Sequence, residues 1–296
     1  MLPALARAER GDRRATGRLD TVVGMGMPAV GATHEESVRF TQEQFDTFAR
    51  LSGDDNPIHV DPDFAVATHF GGTVAHGMML FGVLHAATTR WLPEPATPRY
   101  QNLMFPAPTF AGPEYRIRLE IREREPALTI AQTIVADDGT ETAVGDMIAW
   151  SEGAHPEPQI GRRRLPGPDK YKGFRLGMTA RASRLFVAAE VEGFRQLIDD
   201  RDPLYQKHEL VPPALVGGTV SHLLGVELPG PGANWLKQWY EFERPVFLGE
   251  ELITEVELVR FRPEKHLVDL WVRGSVDGRH VLSGRSLVHT RDVKSR

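Results

Sequence analysis

The stretch Leu51-Ser-Gly-Asp-Asp-Asn-Pro-Ile-His59 places an acid (Asp54), an amide (Asn56) and an imidazole (His59) within six residues. Pro57 fixes the backbone between them, so the polar groups ride on one stiff turn. An acid and a base that share a site remove a proton from one atom while delivering one to another. Taken alone, Asp-Asp-Asn-Pro is also an ordinary turn, and Asp54 alone is an ordinary cap. The functional reading rests on His59 and on a later segment, His76-Gly77-Met78, that joins it.

Working outward, the turn occurs twice. The segment Phe40-Thr-Gln-Glu-Gln-Phe-Asp-Thr-Phe-Ala-Arg-Leu51 lies over Phe186-Val-Ala-Ala-Glu-Val-Glu-Gly-Phe-Arg-Gln-Leu197 at an offset of 146. In that register Asp54 falls on Asp200, Pro57 on Pro203 and Ile58 on Leu204. At an offset of 137, Phe105, Pro108, Phe110 and Gly112 fall on Phe242, Pro245, Phe247 and Gly249. Two anchors in the same order indicate a duplicated unit. The expected division is an extension over 1–20, a first unit over 21–150, a linker over 151–173 and a second unit over 174–296. The linker is rich in Pro, Gly and charge. Its Arg162-Arg163-Arg164 run is either a solvated surface or a contact to a substrate phosphate.

Each copy follows one plan. Thr41 to Leu51 reads as an amphipathic helix with Phe45, Phe48 and Leu51 on one face, and Thr41 with Gln44 fits a capping box. Val74 to Trp91 is apolar nearly all round, so it reads as a helix buried on most sides. From Pro98 the pattern turns to strands. Tyr115–Ile121 alternates, Leu128–Val135 and Thr142–Trp150 follow, and Asp138-Gly139 is a hairpin turn. Glu251–Arg260, Leu267–Val276 and Val281–His289 repeat this, with Asp277-Gly278 as the turn. Trp235 to Tyr240 is either a strand lining the site or core. One buried helix followed by an antiparallel meander is an α+β layout. The helix should cross the concave face of a curved sheet, and two such sheets should join edge to edge.

Composition narrows the function. With 35 basic and 40 acidic residues the net charge is −5, which argues against nucleic acid as a partner. The absence of cysteine excludes disulfides, thiolate metal sites and a Cys nucleophile, and fits a reducing, cytoplasmic setting. No apolar run reaches membrane-spanning length. Met1 to Arg18 carries five Arg but no apolar core, so it reads as a disordered extension rather than a secretory signal. His34, His69, His155, His208, His266, His280 and His289 show no metal-ligand spacing, and His85 reads as a hydrogen-bonded core histidine.

Leu51-Ser-Gly-Asp-Asp-Asn-Pro-Ile-His59, Ala65, Val74-Ala-His-Gly-Met78 and Phe105-x-x-Pro-x-Phe-x-Gly112 together resemble the MaoC-like, (R)-specific enoyl-CoA hydratase family. The resemblance implies a tandem hotdog fold, each unit a long helix wrapped by an antiparallel sheet. It implies a lyase that adds water reversibly to a trans-2-enoyl thioester carried on CoA or on a carrier protein. The dyad would be Asp54 and His59. Gly77 would offer its backbone N–H to the thioester oxygen, and Asn56 and His76 would position the groups. Met78, Phe81 and Phe105 are candidates for an acyl tunnel. No metal or other cofactor is required. In the second copy Tyr205 stands at the place of His59, Asp202 at Asn56 and Pro213-Ala214 at His76-Gly77, so one active site per chain is expected. A monomer of this internal pair and a homodimer both remain open. Competing classes are a hotdog thioesterase and a non-catalytic acyl-binding module.

Overall fold

The computed structural model of the 296-residue chain describes residues 26–150, 166–202, 204–205 and 208–295. The 1–20 extension, the linker up to Leu165 with its three arginines, His155 and Pro203 lie outside the described residues. The first unit runs β1 (Thr33–Arg39), α1 (Gln42–Ser52), α2 (Pro57–Val60), α3 (Pro62–Val66), α4 (Gly77–Trp91), β2 (Pro98–Met104), β3 (Glu114–Glu123), β4 (Thr129–Ala136) and β5 (Glu141–Ala149). A small hairpin follows, β6 (Lys170–Tyr171) and β7 (Phe174–Arg175). The second unit repeats the order: β8 (Thr179–Leu185), α5 (Ala188–Leu197), α6 (Pro213–His222) with a π-helical turn over Leu223–Glu227, then β9 (Asn234–Phe242), β10 (Glu251–Arg262), β11 (Leu267–Val276) and β12 (Arg279–His289).

The capping box forms as expected: the Thr41 side chain accepts from the Gln44 N–H, and the Gln44 side chain accepts from the Thr41 N–H. In β3, Tyr115, Ile117, Leu119 and Ile121 are buried, while Arg116 and Arg118 between them are exposed. This alternation turns one sheet face onto the helices. All ten long strands form one antiparallel sheet in the order β1-β3-β4-β5-β2-β9-β12-β11-β10-β8. The halves meet where β2 pairs with β9, Tyr100 opposite Glu241 and Met104 opposite Lys237. Trp235–Tyr240 is thus a strand at the junction. That pairing hydrogen-bonds two edges that would otherwise be open.

Two expectations shift. Helix α4 begins at Gly77 rather than Val74, because Val74 and Ala75 spend their N–H groups on Ile58 and Thr109 carbonyls. The turn Asp277-Gly278 has both residues at positive φ, 48° and 73°, as a two-residue hairpin loop needs. At Asp137–Gly139 only Gly139 does, at 88°, so that loop is one residue longer.

Residues Met78 to Thr88 of α4 are buried without a break. The helix packs against α6, where a Cβ on Gly217 would stand 2.4 Å from the Met78 sulfur. The sheet carries a paired constraint of the same kind. A Cβ on Gly145 would lie 1.8 Å from the Asn102 carbonyl oxygen, and one on Gly284 would lie 2.2 Å from that of Trp239. Gly145→Ala and Gly284→Ala should each lower the urea midpoint, by about 1–3 kcal/mol of stability. Unchanged midpoints in both would show that these strand crossings are not tight.

Candidate active site

The turn after α1 is built by local chemistry and then held from the second unit. Gly53 ends the helix at φ 79°, a conformation that suits glycine. Ser52 donates to Phe48 O and accepts from the Asp54 N–H, and the Asn56 N–H reaches back to Asp54 Oδ1 at 3.3 Å. The second unit then grips the turn at four places. Arg184 donates to Leu51 O at 2.9 Å, and the His222 imidazole donates from Nδ1 to Gly53 O at 2.6 Å. Ser221 donates its hydroxyl to Asp54 Oδ2 at 2.5 Å. Asn56 donates to Ala233 O at 2.9 Å and accepts from the Gly232 N–H at 3.0 Å. Asn56 thus spends its amide on the second unit's loop. Its side chain orients the turn as a whole, and only its backbone N–H reaches the dyad.

Asp54, His59 and His76 are all buried and each offers a polar atom within 4.8 Å of the others. Tautomers follow from their partners, since a carbonyl only accepts. His59 Nδ1–H donates to Val74 O at 2.7 Å, which leaves Nε2 with a free lone pair. His76 Nε2–H donates to Asp54 O at 3.0 Å. His76 also stacks on His59, with ring centroids 3.7 Å apart. It props both members of the pair from behind and does not line the cleft. Gln42 adds a strut, donating to His59 O and accepting from Thr73 beside Val74.

Burial moves the two titrating groups in opposite directions. It pushes the Asp54 carboxyl up to about 7, against smaller opposing effects of Ser221 and Asn56. It pushes His59 down to about 4, against the Val74 hydrogen bond. His76 is lowered well below its ordinary value, by burial first and then by His59. Between these two values the pair holds one proton, on Asp54. The stack of imidazoles suits proton transfer better than metal binding. Two imidazoles on one tetrahedral zinc, at roughly 2.0–2.1 Å, have centroids about 5 Å apart.

The pair opens into a cleft of about 360 Å³ whose lining includes Asp54, Asn56, His59, Gly77, Leu80, Phe105 and Thr109 from the first unit. Ser221, Leu224, Gly225, Trp235 and His289 come from the second. Gly77 is the first residue of α4, whose first N–H groups have no partner inside the helix. Glycine fits there because a Cβ would come within 2.7 Å of the Phe105 ring. Phe105 lines the cleft. Met78 and Phe81 do not: both are fully buried, Met78 against Gly217 and Phe81 stacked on Phe242, and Leu80 faces the cleft in their stead. Gly225 is a second close approach, since a Cβ would sit 2.3 Å from Asp54 Oδ1. Ser221 and Gly225 escape a reading of the sequence. The only signal for Ser221 is its place on the second helix, nine residues beyond its cap.

The second copy keeps the turn and not the chemistry. Asp202 N–H donates to Asp200 Oδ1 at 2.9 Å, as Asn56 does to Asp54. Tyr205 is buried at the place of His59 and contacts His85 Nδ1 at 3.4 Å. The register of the helices is one residue off the sequence expectation. His76 caps α4 and Pro212 caps α6, so Pro212-Pro213 replaces His76-Gly77. Proline has no N–H, so Pro213 removes the donor that Gly77 supplies.

The family model described as "MaoC like domain" matches residues 27–142. The (R)-specific enoyl-CoA hydratase of Aeromonas caviae is 36% identical over 108 residues, 33% of this chain and 81% of that protein. The 3-hydroxybutyryl-CoA dehydratase of Methylorubrum extorquens is 28% identical over 128 residues, 40% of this chain and 82% of that one. A Mycobacterium tuberculosis protein described as a double hotdog fold superposes with a TM-score of 0.69 at 17% identity, covering 88% of this chain and 96% of that structure, which bears on fold alone. The first unit carries the matched sequence and the buried Asp54–His59 pair, the second repeats its fold, and the chain belongs to the MaoC-like dehydratase family in double-hotdog form.

Proposed function

We propose that the chain is a hydro-lyase that adds water reversibly to a trans-2-enoyl thioester, giving the (R)-3-hydroxyacyl thioester, with CoA as the carrier. The observation that carries this is the pair of buried groups whose pKa values burial drives apart, set beside the N-terminus of α4. The names of the relatives supply the substrate class and the stereochemistry. The setting we propose is the cytoplasm, which the absence of cysteine fits; no helix among the described residues is long and apolar enough to cross a membrane.

The chemistry follows from the proton count. His59 Nε2 takes a proton from water as the water oxygen bonds to C3. The double-bond electrons move toward the thioester carbonyl, whose oxygen faces the Gly77 N–H. Asp54 delivers its proton to C2, and the proton on His59 then returns to Asp54. Acid–base catalysis of this kind contributes roughly 10²–10⁴ in rate, and a donor at the developing oxyanion about 10²–10³. The α4 dipole adds to that donor. Each step uses only these side chains and the substrate, so the mechanism calls for no cofactor.

Hydration of crotonyl-CoA, followed by loss of enoyl absorbance, tests the reading. Asp54→Ala and His59→Ala should each abolish turnover in a folded protein, and Tyr205→Phe should leave it nearly unchanged. Near-normal rates in either dyad variant would overturn the mechanism; release of free CoA would indicate a thioesterase, and binding without turnover an acyl-binding module. Comparison with the same acyl group on a carrier protein decides the carrier.

The proton count also sets the pH profile. The rate of hydration should fall below about pH 4, as His59 is protonated, and above about pH 7, as Asp54 loses its proton. A rate still rising above pH 8 would reverse the assignment of acid and base.

Stability follows the same carboxyl. Its folded pKa of about 7 lies above the ordinary 3.8, so the stability it contributes is full below 3.8 and is lost as pH rises through 7. The difference corresponds to an upper bound on the order of 4 kcal/mol. Asp54→Asn should therefore raise Tm at pH 8 while removing activity. A lower Tm would show that the carboxylate is stabilised where it lies.

A further inference from the structure

The second unit holds a cavity of its own. It measures about 90 Å³ and is lined by residues that include Trp150, Tyr205, Val211, Val216, Phe242 and Arg244. It is the counterpart of the catalytic cleft. Pro213 stands at the place of Gly77, Val216 at Leu80, Phe242 at Phe105 and Arg244 at Ala107. Pro98 of the first unit corresponds to Trp235 of the second. The cavity therefore has its walls at the positions that line the catalytic cleft. It has lost the imidazole and the N–H donor, so it has no means to hydrate an enoyl group.

One feature is new at this position. Arg244 is exposed at the rim, where the catalytic cleft has an alanine, and among the described residues it makes no ion pair. Val211, Val216, Tyr205 and Phe242 are buried and form the apolar interior. Asp200 and Asp202, buried on the turn that carries Tyr205, are not among the residues that line the cavity, and Arg244 is the charged side chain that does, so its single positive charge matches a single negative one. A guanidinium meets a carboxylate with two parallel hydrogen bonds.

We propose that this cavity is a binding site for a short-chain monocarboxylate, its alkyl chain against Val211, Val216 and Phe242 and its carboxylate on Arg244. At about 90 Å³ against about 360 Å³ for the catalytic cleft, it suits a short alkyl chain. The site is separate from the catalytic cleft and binds without turnover.

Butanoate titrated into the full chain, read by tryptophan fluorescence, tests it. Trp150 lines this cavity and Trp235 lines the catalytic cleft, so each variant reports on one site. The expected result is saturable binding in the low millimolar range (roughly 1–10 mM). The response should vanish in Trp150→Phe and survive in Trp235→Phe. Arg244→Ala should weaken binding by about tenfold or more while crotonyl-CoA turnover is unchanged, and butylamine should not bind. No saturation by about 50 mM, equal affinity in Arg244→Ala, or a response that follows Trp235 alone would each overturn the proposal. The titration reads binding alone, so failure of the hydratase reading would leave its result intact.

Discussion

A buried carboxyl needs partners, and most of the architecture around Asp54 supplies them. Removing an acid from water is costly unless it is protonated or hydrogen-bonded. Here burial raises its pKa, and the Ser221 hydroxyl takes up Oδ2. Ser221 belongs to the other half of the chain, and so do Arg184, His222 and the Gly232–Ala233 loop that hold the same turn. The pairing of β2 with β9 and the packing of α4 on α6 bring those groups into reach. The Asp54–His59 turn is therefore a property of the joined pair of units and not of the first one alone.

The same dependence explains how the two copies differ. Both keep the acid-containing turn and the Asx-type hydrogen bond from the residue two ahead. Only the first carries an imidazole and a helix-start N–H. In the second a phenol replaces the imidazole, and Arg195 satisfies the carbonyls of Asp200 and Asp202. Pro213 at the first turn of α6 costs the helix little, since that N–H would lack an intrahelical partner anyway. Folding tolerates the change that chemistry does not.

Several features were legible from residue patterns. The capping box, the alternating strands, the duplicated order of elements and the Asp54–His59 turn all rest on local spacing. Spacing stops being informative where packing decides. Val74 and Ala75 are as apolar as α4 but hydrogen-bond to Ile58 and Thr109, so the helix begins three residues later than its apolar pattern. The caps of α4 and α6, His76 and Pro212, differ in type, so residue identity does not fix the register between the two helices. Met78, Phe81 and Leu80 are equally apolar, and which of them faces the cleft depends on where α6 and Phe242 pack.

The sequence by itself determined the buried helices, the alternating strands, the duplicated order and the loss of the imidazole in the second copy, because these depend on residue identity and short-range geometry; that Pro213, with no N–H, stands at the place of Gly77 follows only from where the two helices begin. Only the tertiary structure decided that Ser221 completes the acid, that Gly225 must stay small beside it and that Asn56 anchors the turn across the junction. Those contacts join residues more than 160 positions apart, Ser221 to Asp54 across 167. No local pattern encodes a meeting that depends on how two sheets join and two helices pack.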